Sequence, residues 1–234
     1  MSAMIKFIIE NFIHVFPILA AGAIGLIIIL ERTIALMWAY PIKSFDGFFE
    51  RVRSLIMRDR ISEAIVLCER MREKPVARVV REGLMRANQP EELVENGLQI
   101  AVSEATERIQ ARTAFLGTIA NVATLFGLLG TIVGLVQSFE AVGSASAQQR
   151  SALLANGIST AMNATMLGLG VAIPCMIAFS YLNSRANKLV TQVDQSAVRT
   201  LDLLQQRYFR AHEGGSPEDP TGPMTPDVPR RRGA

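Results

Sequence analysis

Three stretches of the chain stay free of charge for long enough to cross a bilayer. Asn11 to Leu30, Thr113 to Phe139 and Ser151 to Ser184 contain no Asp, Glu, Lys or Arg, and about 20 apolar residues in a helix suffice for one crossing. The pattern predicts a first transmembrane helix within 11–40, closed by Glu31 and Arg32 and followed by Trp38 and Tyr40, which suit the headgroup zone. A second is predicted over 113–139 and a third over 157–184. Between the first two, 41–112 reads as small packed helices. Ile61, Ala64, Ile65, Cys68 and Met71 share one helical face, Val76, Val79, Val80, Leu84 and Ala87 share another, and Pro75 and Pro90 mark breaks. From Glu91 the stripe Leu93, Val94, Leu98, Ala101, Val102, Ala105, Ile109 runs into the second span without a proline. This predicts one helix from Pro90 to Phe139, roughly 75 Å long at 1.5 Å per residue. The third span likewise continues through 185–212 as Leu189, Val193, Ala197, Leu201, Leu204 and Tyr208. The expected fold is an all-α membrane protein with three transmembrane helices, the second and third extended into a cytoplasmic helical bundle.

Charge sets the orientation. Half of the 234 residues are hydrophobic while 19% are charged, and the mean hydropathy is +0.27, so apolar spans and charged segments are segregated. Nearly all Lys and Arg fall between Glu31 and Arg112 or beyond Ser184, and the connection 140–156 has only Arg150. By the positive-inside rule, residues 1–10 and 140–156 lie outside and 41–112 and 185–212 in the cytoplasm. The first apolar run continues past its one weak cleavage motif and reads as a retained span. The net charge of +3 follows from this topology. Its basic residues are interleaved with almost as many acids, which argues against nucleic-acid binding. Cys68 and Cys175 have no metal-ligand or disulfide spacing and read as packing residues. No nucleophile–base pair, phosphate loop or metal cluster marks an enzyme, and no cofactor is implied. In the tail 213–234, Pro217, Pro220, Pro223, Pro226 and Pro229 recur at every third position, matching one face of a polyproline II helix. The expectation there is a disordered tail, with a docking peptide for a cytoplasmic partner as the alternative.

The polar residues inside the spans carry the chemistry. Gly117, Thr124, Thr131 and Ser138 recur every seven residues with Asn121 and Leu128 on the same side. Gly127, Gly130 and Gly134 are close-approach points for a neighbouring helix. On the third span Ala161, Thr165, Gly168, Ala172 and Cys175 form a small-residue stripe, while Asn156, Ser159, Thr160 and Asn163 form a polar patch nearer the outer end. Pro174 removes one backbone hydrogen bond and frees the Gly170 carbonyl. Lipid rejects such groups unless they face protein or water. The expected ion pathway is lined by Thr131, Thr165, Thr124, Asn121, Ser138, Thr160 and Asn163, with Gly127, Gly130, Gly134, Gly168 and Pro174 serving helix packing. The bland alternative is that the hydroxyls bond back to their own helices in a non-conducting scaffold. Hydroxyls and amides order water but do not release protons near neutral pH. A proton path therefore needs a carboxylate from another chain.

Leu129-Gly130-Thr131-Ile132-Val133-Gly134-Leu135 resembles the second-span signature of the MotA/TolQ/ExbB proton-channel family. Gly157-Ile158-Ser159-Thr160-Ala161-Met162-Asn163-Ala164-Thr165, followed by Gly168 and Val171-Ala172-Ile173-Pro174, resembles its third-span signature. The resemblance covers about residues 10 to 210. It implies a homopentamer in a bacterial inner membrane, surrounding the single spans of a TolR/ExbD-like partner with a membrane Asp. It also implies that Thr131 and Thr165 are pore-lining hydroxyls and that the loop helices anchor the complex or transmit its torque. Thr160 stands where TolQ- and ExbB-like members commonly have Glu, and Phe179-Ser180 replaces a Tyr-Asn pair. These departures point to a TolQ-like stator for another machine, such as gliding motility. H⁺ and Na⁺ both remain compatible with a threonine-rich wall.

Overall fold

The computed structural model describes residues 12–42, 44–143 and 145–213. The N-terminal segment 1–10 and the Pro-rich segment beyond Glu213 lie outside the described residues. Within them the chain is nearly all helical. Helix α1 (Phe12–Ile34) leads into a π-helical turn (Ala35–Ala39), followed by α2 (Phe45–Met57), α3 (Ile61–Glu69), α4 (Pro75–Met85), α5 (Glu91–Gln110), α6 (Thr113–Gly143) and α7 (Ala147–Glu213). Three helical segments are long and apolar enough to span a membrane: one within Val15–Ala39, one within the α5–α6 stretch and one in α7. The chain is an integral membrane protein by these helices. Only residues 144–146 separate α6 from α7, so most of the predicted 140–156 connection is helical.

Local chemistry explains several boundaries. Ser44 caps α2 by accepting the Gly47 amide at 3.2 Å. Pro75 opens α4 at a first-turn position whose missing N–H is unneeded. Pro174 lies inside α7 without ending it. At 1.5 Å per residue the 67 residues of α7 form a rod of roughly 100 Å.

The predicted continuous helix from Pro90 to Phe139 does not form. It breaks at Ala111 and Arg112, with Arg112 at φ 61° in the left-handed region. A side chain there costs roughly 1–2 kcal/mol, so neighbouring groups must hold the joint. The Ala111 amide donates to the Glu107 carbonyl at 2.8 Å, and the Thr113 amide donates to Ala111 at 2.8 Å. From α1, the buried Arg32 guanidinium donates to the Arg108 carbonyl at 3.3 Å. It thereby places positive charge at the carbonyl end of α5, where the helix dipole favours it. Arg112 itself pairs with Glu31 at 2.6 Å. No proline or glycine announces this joint. Long-range contacts to α1 set it.

Packing differs on the two sides of that joint. The membrane-distal bundle buries bulky residues, among them Leu36, Phe48, Phe49, Ile56, Leu84, Leu98, Ile109 and Val193. The spans bury mainly small ones, Ala120, Ala123, Ala161, Ala164, Ala172 and Cys175. In water, burial of large apolar side chains drives association. In lipid that drive vanishes, and close backbone contact takes over. Ion pairs Arg199–Asp46 at 3.0 Å and Arg207–Asp59 at 2.8 Å tie α7 to the start and end of α2.

Candidate functional site

The glycines of α6 meet α7 backbone to backbone. A Cβ on Gly168 would come within 2.7 Å of the Ala123 carbonyl oxygen and 2.8 Å of the Gly127 Cα, and one on Gly127 within 3.2 Å of the Gly168 Cα. A Cβ on Gly134 would lie 3.2 Å from the Ala161 Cα, and one on Gly130 would lie 2.6 Å from the Ala164 Cβ. These four glycines mark the crossing line of the two spans. Ala161, Gly168, Ala172 and Cys175 are buried along it, so the small-residue stripe serves packing. Helix α1 lies against another side of the pair, with Gly25 beside Cys175 and Gly22 beside Val171.

At the crossing, the Thr165 hydroxyl donates to the Gly127 carbonyl of the other helix at 3.2 Å. Thr165 and Thr131 line one open groove with Met162, Met166, Leu169, Gly170 and Ile173. The lining residues Met166 and Ile173 lie about 200° around α7 from Ala164 and Val171, which face α1, so the groove opens away from α1. The groove continues along α7 in both directions. Toward the α6–α7 connection it passes Ser159 and Asn163. Toward the bundle it passes Met176 and then Ser180, Asn183, Ser184, Asn187 and Thr191. One face of α7 is thus polar, then apolar around the threonine pair, then polar again.

The remaining predicted residues distribute unevenly. Thr124 and Asn121 are exposed on α6, and the Thr124 hydroxyl donates to its own Ala120 carbonyl at 3.0 Å. Thr131 donates to its own Leu128 carbonyl at 2.6 Å, which leaves its oxygen free to accept from water. Ser138 lies away from the groove: it is buried in the α6–α7 interface against Gly157 and donates to the Gly134 carbonyl at 2.6 Å. Thr160 is half-buried and does not line the groove, whereas Asn163 does. Pro174 is exposed, and nothing stands within 4 Å of a Cβ built at Gly170.

The bundle-side polar stretch was not singled out from sequence. Its signal was available: Ser180, Asn183, Ser184, Asn187 and Thr191 recur at three- and four-residue spacing, on a different face from the apolar stripe read over 185–212. Arg32, at the end of the first span, is buried, with only 4% of it exposed.

A model of the MotA/TolQ/ExbB proton channel family matches residues 71–195, more than half of the chain. The TolQ protein of the Tol-Pal system from Pseudomonas aeruginosa is 34% identical over 124 residues, 52% of this chain and 48% of that protein. A putative ExbB homologue from Methanothermobacter thermautotrophicus is 29% identical over 122 residues, 52% of this chain and 43% of that one. The chain spans about half the length of these curated relatives. In three dimensions it is similar to the Campylobacter jejuni MotAB structure, with a TM-score of 0.58 and 14% identity over 94% of this chain and 92% of that one. The last likeness concerns fold alone. The glycine-threonine crossing lies inside the matched region, and the chain belongs to the MotA/TolQ/ExbB proton channel family.

Proposed function

We propose that this chain is the ring-forming subunit of a membrane motor driven by an ion-motive force. Five copies surround the single spans of a TolR/ExbD-like partner in a bacterial inner membrane, with the bundle in the cytoplasm and the α6–α7 connection in the periplasm. The observation that carries the reading is the shared groove of Thr131 and Thr165, whose seven lining residues include no titratable group. The polar zones on either side admit water from both ends. The apolar zone from Leu169 to Met176, about 10 Å along the helix, interrupts it. A carboxylate delivered by the partner crosses that zone when protonated and neutral, and is held back when charged. The threonine hydroxyls hydrate it and pass it protons from the periplasmic side. One charge moved through 100 mV yields about 2.3 kcal/mol, so a few protons per step exceed thermal energy several-fold.

The competing reading is a non-conducting scaffold. It draws on the hydroxyls of Thr124, Thr131 and Ser138, each bonded within its own helix. Reconstitution in vesicles separates the two. The chain alone is expected to pass no sustained proton current, and addition of its single-span partner to start one. Current at full magnitude from the chain alone would overturn the division of labour, and none from the complex would favour the scaffold.

A further inference from the structure

Tyr208 and Phe209, near the end of α7, are 61% and 62% exposed. They stand about 37 Å along the helix from Ser184, well beyond the third span, so lipid tails do not account for them. Their rings make an edge contact, with centroids 6.0 Å apart. They rim a groove between the start of α5 and the end of α7, floored by Ala87, Pro90, Val94 and Leu201, with Gln89 and Gln205 at its edge. Gln205 donates to Glu91 at 2.5 Å, which ties the two walls together. The channel continues between the same helices past Leu98 and Val198, with the carboxylates Glu95 and Asp194 along it. From Phe209 to Asp194 it extends about 22 Å.

We propose that this groove is the dock for the chain's own Pro-rich segment, Pro217 to Pro229, seated as a polyproline II helix against the aromatic rim. The five prolines at three-residue spacing lie on one face of such a helix. Polyproline segments are recognised by aromatic-lined grooves, at low entropic cost because the conformation is already stiff. Their backbone carbonyls have no internal partners, and the amides of Gln89 and Gln205 supply donors at the groove edge. The position of the segment also fits. It leaves α7 at Glu213, four residues beyond Phe209, and Gly214-Gly215 permits a reversal there. From Pro217 to Pro229 it reaches about 37 Å at 3.1 Å per residue. That covers the groove in full, running antiparallel to α7.

The test uses the full chain in detergent, with a photo-crosslinking benzoylphenylalanine at Gln89. Irradiation is expected to give an adduct within residues 217–229 that migrates as a single chain, and Phe209→Ala is expected to remove it. An adduct joining two chains, an adduct to another protein, or none would overturn the proposal. Replacing Pro217, Pro220, Pro223, Pro226 and Pro229 by Ser gives a second reading. Amides of residues 87–89 and 91–94 are expected to exchange hydrogen at least tenfold faster in that variant, and unchanged rates would equally overturn it.

Discussion

The Thr165 hydroxyl reaches across the helix pair to the Gly127 carbonyl, 3.2 Å away, so one side chain both joins the two spans and faces the groove. Interhelical hydrogen bonds in membranes contribute about 0.6 kcal/mol on average. Thr165→Val should therefore leave the protein folded and its size-exclusion profile unchanged. Proton flux in reconstituted complexes should fall about tenfold or more, a barrier increase of about 1.4 kcal/mol or above. Thr165→Ser should restore most of it. Thr131→Val should behave the same way, since both residues line the one groove.

Two glycines on one helix should respond in opposite directions. Gly168→Ala places a methyl 2.7 Å from the Ala123 carbonyl oxygen, a backbone contact that cannot yield without separating the spans. It should destabilise by about 1–3 kcal/mol. Gly170→Ala, two residues on, meets nothing within 4 Å and should stabilise the helix by roughly 0.5–1 kcal/mol. Denaturation midpoints in the same detergent compare the pair.

The left-handed Arg112 makes a third case. Arg112→Gly relieves roughly 1–2 kcal/mol of backbone cost and loses a half-exposed pair with Glu31 that contributes no more than about 1 kcal/mol. The variant should be neutral to slightly stabilised. Arg112→Val, with a branched side chain at the same φ, should lose roughly 1–3 kcal/mol. Urea titration read by tryptophan fluorescence or circular dichroism checks both.

Cys68 is fully buried in the bundle, and burial pushes its thiol up to about 12. Maleimide should label it only after unfolding, even at pH 9. The sign of the linked stability follows. The unfolded thiol ionises near its ordinary value of 9.0 while the folded one keeps its proton, so the contribution is full below pH 9 and declines as pH rises toward 12. A Cys68→Ala variant should show a shallower loss of stability over that interval.

Much of this fold could be read from hydrophobic spacing. The three spans, the helical loop and the apolar stripe beyond the third span all rest on local periodicity, which one sequence displays directly. The glycines at 127, 130, 134 and 168 were also readable, because close approach requires their lack of a side chain. The break at Arg112 was hidden, since the groups that hold the joint, Glu31 and Arg32, lie about 80 residues earlier on another helix. Ser138 was misleading for a related reason. A seven-residue repeat drifts by about 20° around a straight helix each time, so Thr131 lines the groove while Ser138, one repeat on, is buried in the interface.

From Thr165 to Phe209, 45 residues, α7 runs without a break for about 66 Å, while α5 and α6 are jointed at Arg112. A lean of about 5° pivoting at the membrane crossing would sweep the far tip sideways by about 6 Å over that length. The continuous helix is a stiff rod and the jointed pair bends at Arg112, so a small tilt at the Thr165 crossing becomes a displacement of several ångström at the far end.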